Sequence, residues 1–349
     1  MGRTIALVGA LHPAARGLAL ACEDDPAVER VLGLSRHEPP LLGPKFEFVP
    51  AGPGDERFAP AVEQADTVVL FPLVDASDRN EEGRRARVLD GTRLACQAAA
   101  RAERLVLWSS GVVYGAHADN PLPLEESAPV RPNPEFPAAG VLAETERVVL
   151  DARGGDGRGA TVLRGAGVWS PTWGTFLARG LLGPAMIGVR GYDPPVQCLA
   201  PADAVTALAL AAGGRLEGVY NVAPDDWIPA SQAAQVTGRR RLDLPQRLVV
   251  PTADRLRGAG VAAATAGELE YHMHPWVLSA ARLRAAGWAP TRTTIEALAE
   301  AAAELPEGVR LGRMQVRRGD LWRGAAAGLA LLAMVVVARR QGRRPPRPG

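Results

Sequence analysis

Residues 4–20 read TIALVGALHPAARGLAL. An apolar run, residues 5–8, meets Gly9, and an alanine-rich stretch of helical composition follows. Strand, glycine turn and helix start in that order open a nucleotide-binding βαβ unit, whose glycines let backbone close on a phosphate at the helix N-terminus. The turn after Gly9, however, holds His12 and Pro13. His12 puts a side chain where bare backbone is expected. Pro13 removes an N–H from the anion-binding end of the helix, although proline is tolerated in a first helical turn. The stretch speaks for a fold class and leaves its cofactor site in question.

Short, largely apolar runs at 4–8, 30–34, 46–49, 67–71 and 105–108 have the composition of parallel strands buried on both faces. An Arg- and Ala-rich helix is expected over about 80–101. The alternation predicts an α/β fold with a doubly wound parallel sheet. A proline-rich loop, 121–137, precedes an amphipathic helix over 141–150 and a strand at 160–163. From about 165 to 305 short strands, such as 196–199 and 218–222, mix with helices and Gly/Pro/Trp loops. This part is read as a smaller substrate-type domain over the carboxyl ends of the strands, where open α/β sheets bind ligands. The expected division is therefore 1–164 for the Rossmann-type domain and 165–305 for the smaller one. A charged linker (306–320), a hydrophobic helix (321–340) and a basic tail (341–349) complete it.

The 349 residues are 47% hydrophobic, enough for one large or two medium domains. A formal net charge of +2 gives no electrostatic reason to expect nucleic acid. Cys22, Cys96 and Cys198 form no CxxC pair, which suits a reduced, cytoplasmic interior. Lys45 is the only lysine, a fact with a consequence for catalysis. Near the end, residues 324–338 are uncharged, with Trp322 before them and Arg339 and Arg340 after. As a helix this span covers about 22 Å of the roughly 30 Å hydrocarbon core, and Leu321 and Trp322 extend it. A buried core helix is the plainer alternative. Its position after a complete domain and the basic, Pro-rich tail favour membrane insertion, with the rest of the chain a cytoplasmic domain on the inner (cell) membrane. Basic residues nearly balance on the two sides, so orientation is not fixed.

Several phrases resemble, in order, one known family. SSGVVYG at 109–115 is similar to the Ser…Tyr-Gly stretch of the extended short-chain dehydrogenases/reductases, the NAD-dependent epimerase/dehydratase family. Asp66, Gly91-Thr92, LRGAGVW at 163–169, VQCLAPAD at 196–203, VYNVAPD at 219–225 and PWVLSAARLRAAGWAP at 275–290 match its later parts in the same order. The likeness spans about residues 3–305. It implies a Rossmann domain binding NAD or NADP and a C-terminal part holding a nucleotide-sugar or similar small ligand. It also implies hydride transfer assisted by a Ser, a Tyr and a Lys four residues after that Tyr. A phenol of pKa near 10 is a poor base at pH 7 until an ammonium lowers it, and the serine holds the substrate oxygen.

Against this pattern the chain departs in several places. The family's Gly-x-x-Gly-x-x-Gly turn falls on Gly9, His12 and Ala15. The acid expected after the second strand is replaced by Ser35-Arg36, which either meets an NADP 2′-phosphate or is a solvated loop. Cofactor-side candidates are thus Gly9, Leu11, His12, Ser35, Arg36 and, at the end of the fourth strand, Phe71. Ser110 holds the serine position, but Ala138 stands for the tyrosine and Leu142 for the lysine. No register shift repairs this, because no tyrosine lies four residues before Lys45. Losing general acid–base assistance costs roughly 10²–10⁴ in rate. Tyr114 is either a displaced acid or structural. Arg164 and Trp169 are candidates for the substrate side. His272 and His274 lack a third ligand at useful spacing, so loop packing is expected and no metal.

The expectation is a membrane-tethered member with degraded motifs, a ligand-binding or scaffolding pseudoenzyme. NADP or NAD is its cofactor if it retains one; none is the other outcome. Two alternatives stay open: an atypical NAD(P)-dependent reductase or nucleotide-sugar epimerase using Ser110 and an unidentified acid, and a membrane adaptor with unknown protein partners.

Overall fold

The computed structural model describes residues 2–40, 42–72, 81–153, 159–173, 175–182, 186–214, 216–246, 266–305, 308–311 and 314–317. Strand β1 (Arg3–Val8) leads into α1 (Pro13–Glu23), then β2 (Val28–Ser35), β3 (Phe46–Pro50), α2 (Phe58–Val62) and β4 (Thr67–Leu70). Next come α3 (Glu81–Ala98), β5 (Arg104–Ser110), α4 (Pro137–Asp151) and β6 (Ala160–Gly165). The remainder holds α5 (Phe176–Leu182), β7 (Met186–Val189), β8 (Pro195–Val196), α6 (Pro201–Gly213), β9 (Gly218–Val222), β10 (Ile228–Pro229), α7 (Ala230–Val236) and β11 (Arg241–Leu244). Short helices at Ala266–Leu269, Ala281–Ala285 and Thr294–Ala303 and strands β12 (Gly308–Leu311) and β13 (Met314–Arg317) end the described chain.

Seven strands form one parallel sheet in the order β3-β2-β1-β4-β5-β6-β9. All residues of β4 and β6 are buried, as expected of strands covered on both faces. One core joins α1 and α6 to one face of the sheet, and a second joins α2, α3 and α4 to the other. In α1, Ala14, Ala15, Leu18, Ala19 and Cys22 form the buried stripe. Gly17 lets α1 approach α6 closely, for a Cβ there would lie 2.4 Å from Val205 Cγ2. Strand order reverses between β1 and β4, and a crevice opens there beyond the carboxyl ends.

The smaller part is built from the antiparallel pair β8–β10, the parallel pair β7–β11 and short helices. The extended run expected at 196–199 stops at Val196. Gln197 is pinned there, its Nε2 donating to Pro224 and Leu278 carbonyls at 2.8 and 3.0 Å, and the chain turns into α6 instead of pairing further. The stretch read as a linker contains the antiparallel pair β12–β13. Among the described residues no helix is long and apolar enough to cross a membrane. The hydrophobic span 321–340 lies outside the described residues.

Candidate functional site

The glycine turn keeps its tightness. Gly9 has φ +91°, and a Cβ there would sit 2.4 Å from the Phe71 carbonyl oxygen, so the turn requires glycine. The next residues satisfy one another. The His12 N–H donates to the Gly9 carbonyl at 2.9 Å, Pro13 has no N–H, and the Ala14 N–H donates to His12 Nδ1 at 3.1 Å. His12 therefore caps α1 with its own ring. Three successive positions that would face an anion have no N–H to spare. The imidazole stacks on Phe71 (5.3 Å, 22°) and meets Trp173 edge-on at 5.7 Å, while Trp173 meets Trp108 edge-on at 6.1 Å. Burial pulls the His12 pKa down to about 4, which leaves the ring neutral and Nδ1 able to accept. These residues do not fit the diphosphate of a dinucleotide, which needs donors where this chain has spent them.

Ser110 ends β5 and opens a 3-10 turn, its Oγ accepting from the Val112 N–H at 3.4 Å. It lines a cavity of about 400 Å³ together with Ala138 and Leu142, one turn apart on α4. Those two positions, assigned in the sequence to the tyrosine and lysine, thus do face the cleft, as alanine and leucine. Lys45, the one ammonium, precedes β3 and donates to the Cys22 and Asp25 carbonyls at 3.0 and 2.8 Å, at the amino ends of the strands. Tyr114 is wholly buried, donates to Asn221 Oδ1 at 2.9 Å, and has its pKa raised by desolvation. Its phenol does not reach the cavity lining.

Arg164 departs from its expected substrate-side place. It is 4% exposed and forms an ion pair with Glu146 at 2.7 Å, with its guanidinium 4.7 Å over the Tyr114 ring. Ser109 donates to Glu146 Oε1 at 2.5 Å. The sequence reading missed this buried Ser109–Glu146–Arg164–Tyr114–Asn221 network; its only trace was Glu146 on the buried face of an amphipathic helix. Trp169 is buried and lines a separate cavity of the smaller part with Met186, Pro195, Tyr271, His272 and Trp276. Burial, and secondarily the nearby Arg241 charge, pulls His272 down to about 4. His274 lies 3.6 Å from Glu270.

On the other side of the His12–Phe71 stack, a second cleft of about 410 Å³ runs between the ends of β1 and β4 and the start of α3. Val8, Gly9, Leu70 and Phe71 form its floor, and Arg36, Arg84 and Arg87 stand around it. Arg84 and Arg87 were legible only as an i, i+3 pair in an arginine-rich helix. Arg36 lies 3.9 Å from Asp55 across solvent. Ser35 is buried and donates to the His37 carbonyl, and Leu11, 40% exposed, does not line either cleft.

No family model matches the chain. It is 31% identical over 240 residues to the uncharacterized proteins Mb0513 of Mycobacterium bovis and Rv0501 of Mycobacterium tuberculosis. That stretch is 68% of this chain and 62% of each relative's own length. Among solved structures, MoeE5 in complex with UDP-glucuronic acid and NAD superposes with a TM-score of 0.65 at 19% identity, over 87% of this chain and 98% of that one. The dTDP-glucose 4,6-dehydratase DesIV of Streptomyces venezuelae, with NAD bound, gives 0.66 at 17% over 86% and 96%. The UDP-glucuronic acid 4-epimerase of Bacillus cereus, in complex with UDP-glucuronic acid and NAD, gives 0.66 at 13% over 86% and 98%. These likenesses place the fold.

Proposed function

We propose that this chain, which has the fold of the NAD-dependent epimerases and dehydratases of the extended short-chain dehydrogenase/reductase type, binds a small ligand and does not transfer hydride. The observation that carries the reading is the state of α1's N-terminus, where His12 takes the Ala14 N–H that a diphosphate would use. Two further positions agree with it. Ala138 and Leu142 line the cleft without an acid, a base or a cation. A hydride-transferring site needs a proton acceptor within hydrogen-bond reach of the substrate oxygen. Here the described tyrosines and the single lysine are engaged elsewhere or lie away from the cleft. Of the two titratable groups in its lining, His12 spends Nδ1 on its own helix and Glu268 has a partner of its own.

The three arginines around the second cleft support a narrower retained function. Guanidinium groups suit phosphate oxygens, so a phosphorylated nucleoside is the fragment of the former cofactor that this half suits. Solved neighbours hold NAD and, in two cases, UDP-glucuronic acid; for this chain a nucleotide-sugar is the less favoured ligand. Attachment to a membrane through 321–340 belongs to the same reading and rests on composition alone.

Titration calorimetry with NAD⁺, NADP⁺, adenosine 2′,5′-bisphosphate and UDP-glucuronic acid tests the proposal. We expect the bisphosphate to bind at least tenfold more tightly than NAD⁺, and no NADPH oxidation with carbonyl substrates. Micromolar NAD⁺ binding with turnover that Ser110→Ala abolishes would establish the atypical reductase instead. Flotation of the full chain with liposomes, compared with residues 1–320, tests attachment; loss of flotation on truncation is the expected result.

A further inference from the structure

The cavity at the carboxyl ends of β5 and β6 has a lining unlike that of a sugar site. Trp108, Phe136, Leu142, Trp173, Phe176 and Trp276 are among the residues of its wall. Phe136 and Phe176 meet edge-to-face at 5.6 Å, and Phe176 and Trp276 lie 6.3 Å apart, so these three rings form one aromatic cluster, while Trp108 and Trp173 pair at 6.1 Å. The polar residues of its lining are His12, Ser109, Ser110, Thr175 and Glu268. Ser110 Oγ lies at the tip of β5, and His12 presents a ring kept neutral by burial. The other polar groups of the lining have commitments: Ser109 donates to Glu146, Thr175 donates to the Val168 carbonyl at 2.6 Å, and Glu268, fully buried, has a partner of its own.

We infer that this cavity binds an apolar small molecule, a hydrocarbon body with one uncharged hydrogen-bonding head at Ser110, and excludes sugar nucleotides. The inference rests on the reading that the cleft no longer performs hydride transfer. Cavities of about 300–1,000 Å³ with aromatic walls and few polar groups are the usual form of small-molecule sites. A hexose brings a hydroxyl on nearly every carbon, and here most would be buried against rings without partners. A nucleotide diphosphate adds two charges that no guanidinium or ammonium among the described lining residues balances. The route to the arginine-lined cleft passes the His12–Phe71 stack, with His12 lining one cavity and Phe71 the other.

The test uses the full chain and the fluorescent probe N-phenyl-1-naphthylamine, with 1-decanol and UDP-glucuronic acid as competitors. We expect saturable one-to-one binding, displacement by 1-decanol, and none by UDP-glucuronic acid. Ala138→Trp, which fills the cavity from α4, should weaken the probe at least tenfold with an unchanged thermal transition. Leu142→Lys should do the same by placing a charge in the wall. Ser110→Ala should weaken 1-decanol about fivefold and leave the probe unaffected. Absence of saturable binding overturns the inference. So does equal displacement by UDP-glucuronic acid, or equal affinity in a folded Ala138→Trp chain, since probe held by the apolar segment 324–338 would not sense that change. An NAD⁺ titration on the same sample separates the two claims: dinucleotide binding with turnover defeats the proposed function, whereas silence of both NAD⁺ and probe defeats only this inference.

Discussion

His12 decides more than any other side chain, because one ring caps α1, fills the diphosphate position and stacks on Phe71. Its titration gives a directional prediction. With the folded pKa near 4 and the unfolded value near 6.5, the unfolded chain binds the proton more readily between those pH values. Stability contributed by neutral His12 is present above pH 6.5 and is lost as pH falls towards 4. At pH 5 the loss amounts to about 2 kcal/mol relative to pH 7.5. His272, also near 4, adds a loss of the same sign. Urea denaturation at the two pH values checks this. His12→Asn keeps an N-capping acceptor without a titrating ring, so its pH-dependent loss should be smaller than wild type by about 2 kcal/mol. An identical pH dependence in the variant would show that His12 is not the group responsible.

At the scale of elements, α4 couples the cleft to the sheet. Its inward face carries Ala138 and Leu142 towards the cavity and Glu146, a turn further on, towards β5 and β6. Arg164 and Glu146 are both nearly wholly buried. Breaking such a pair leaves an uncompensated charge, so Glu146→Gln should destabilise by about 3–5 kcal/mol in urea denaturation. Replacing both partners, Glu146→Leu with Arg164→Met, should recover most of that loss, since paired burial gains little over apolar packing. The strands of the main sheet were readable because parallel strands covered twice over are almost wholly apolar, and residues 4–8 and 67–71 are so after an opening threonine. Helix α4 begins at Pro137 rather than 141, for proline at the first helical position starts the helix before its amphipathic pattern does. The β12–β13 pair escaped notice because its stretch is charged and short. The Glu146–Arg164 pair escaped because partners 18 residues apart meet only once α4 lies on the sheet.

Across the whole molecule, the three departures, at 12, 138 and 142, lie on two elements, the N-terminus of α1 and the first turns of α4, and on the proposed reading they bear on one ligand. A dinucleotide spans the crevice at the strand-order reversal, so its diphosphate, its ribose and its reacting ring would meet α1, the sheet and α4 together. The sequence assigned all three positions from the order of strands and helices around them, and the structure puts His12 at the N-cap of α1 and Ala138 and Leu142 beside the cleft on α4. It did not show that His12 satisfies its own helix, since a capping bond depends on the ring's rotamer as well as on spacing. Because the three sites act on one ligand, their repair should be strongly non-additive. Ala138→Tyr with Leu142→Lys restores a phenol and a cation to the cleft, but leaves α1 with no spare donor; NAD⁺ affinity should change less than threefold. His12→Gly alone frees the Ala14 N–H and removes the stack on Phe71, and should raise NAD⁺ affinity at least tenfold without producing turnover. Only the triple variant should combine both gains. Calorimetric titration of the four chains with NAD⁺ reads this directly. Tight binding by the Tyr/Lys variant with His12 intact would mean that the aromatic stack yields to the diphosphate, and that the crevice remains a dinucleotide site.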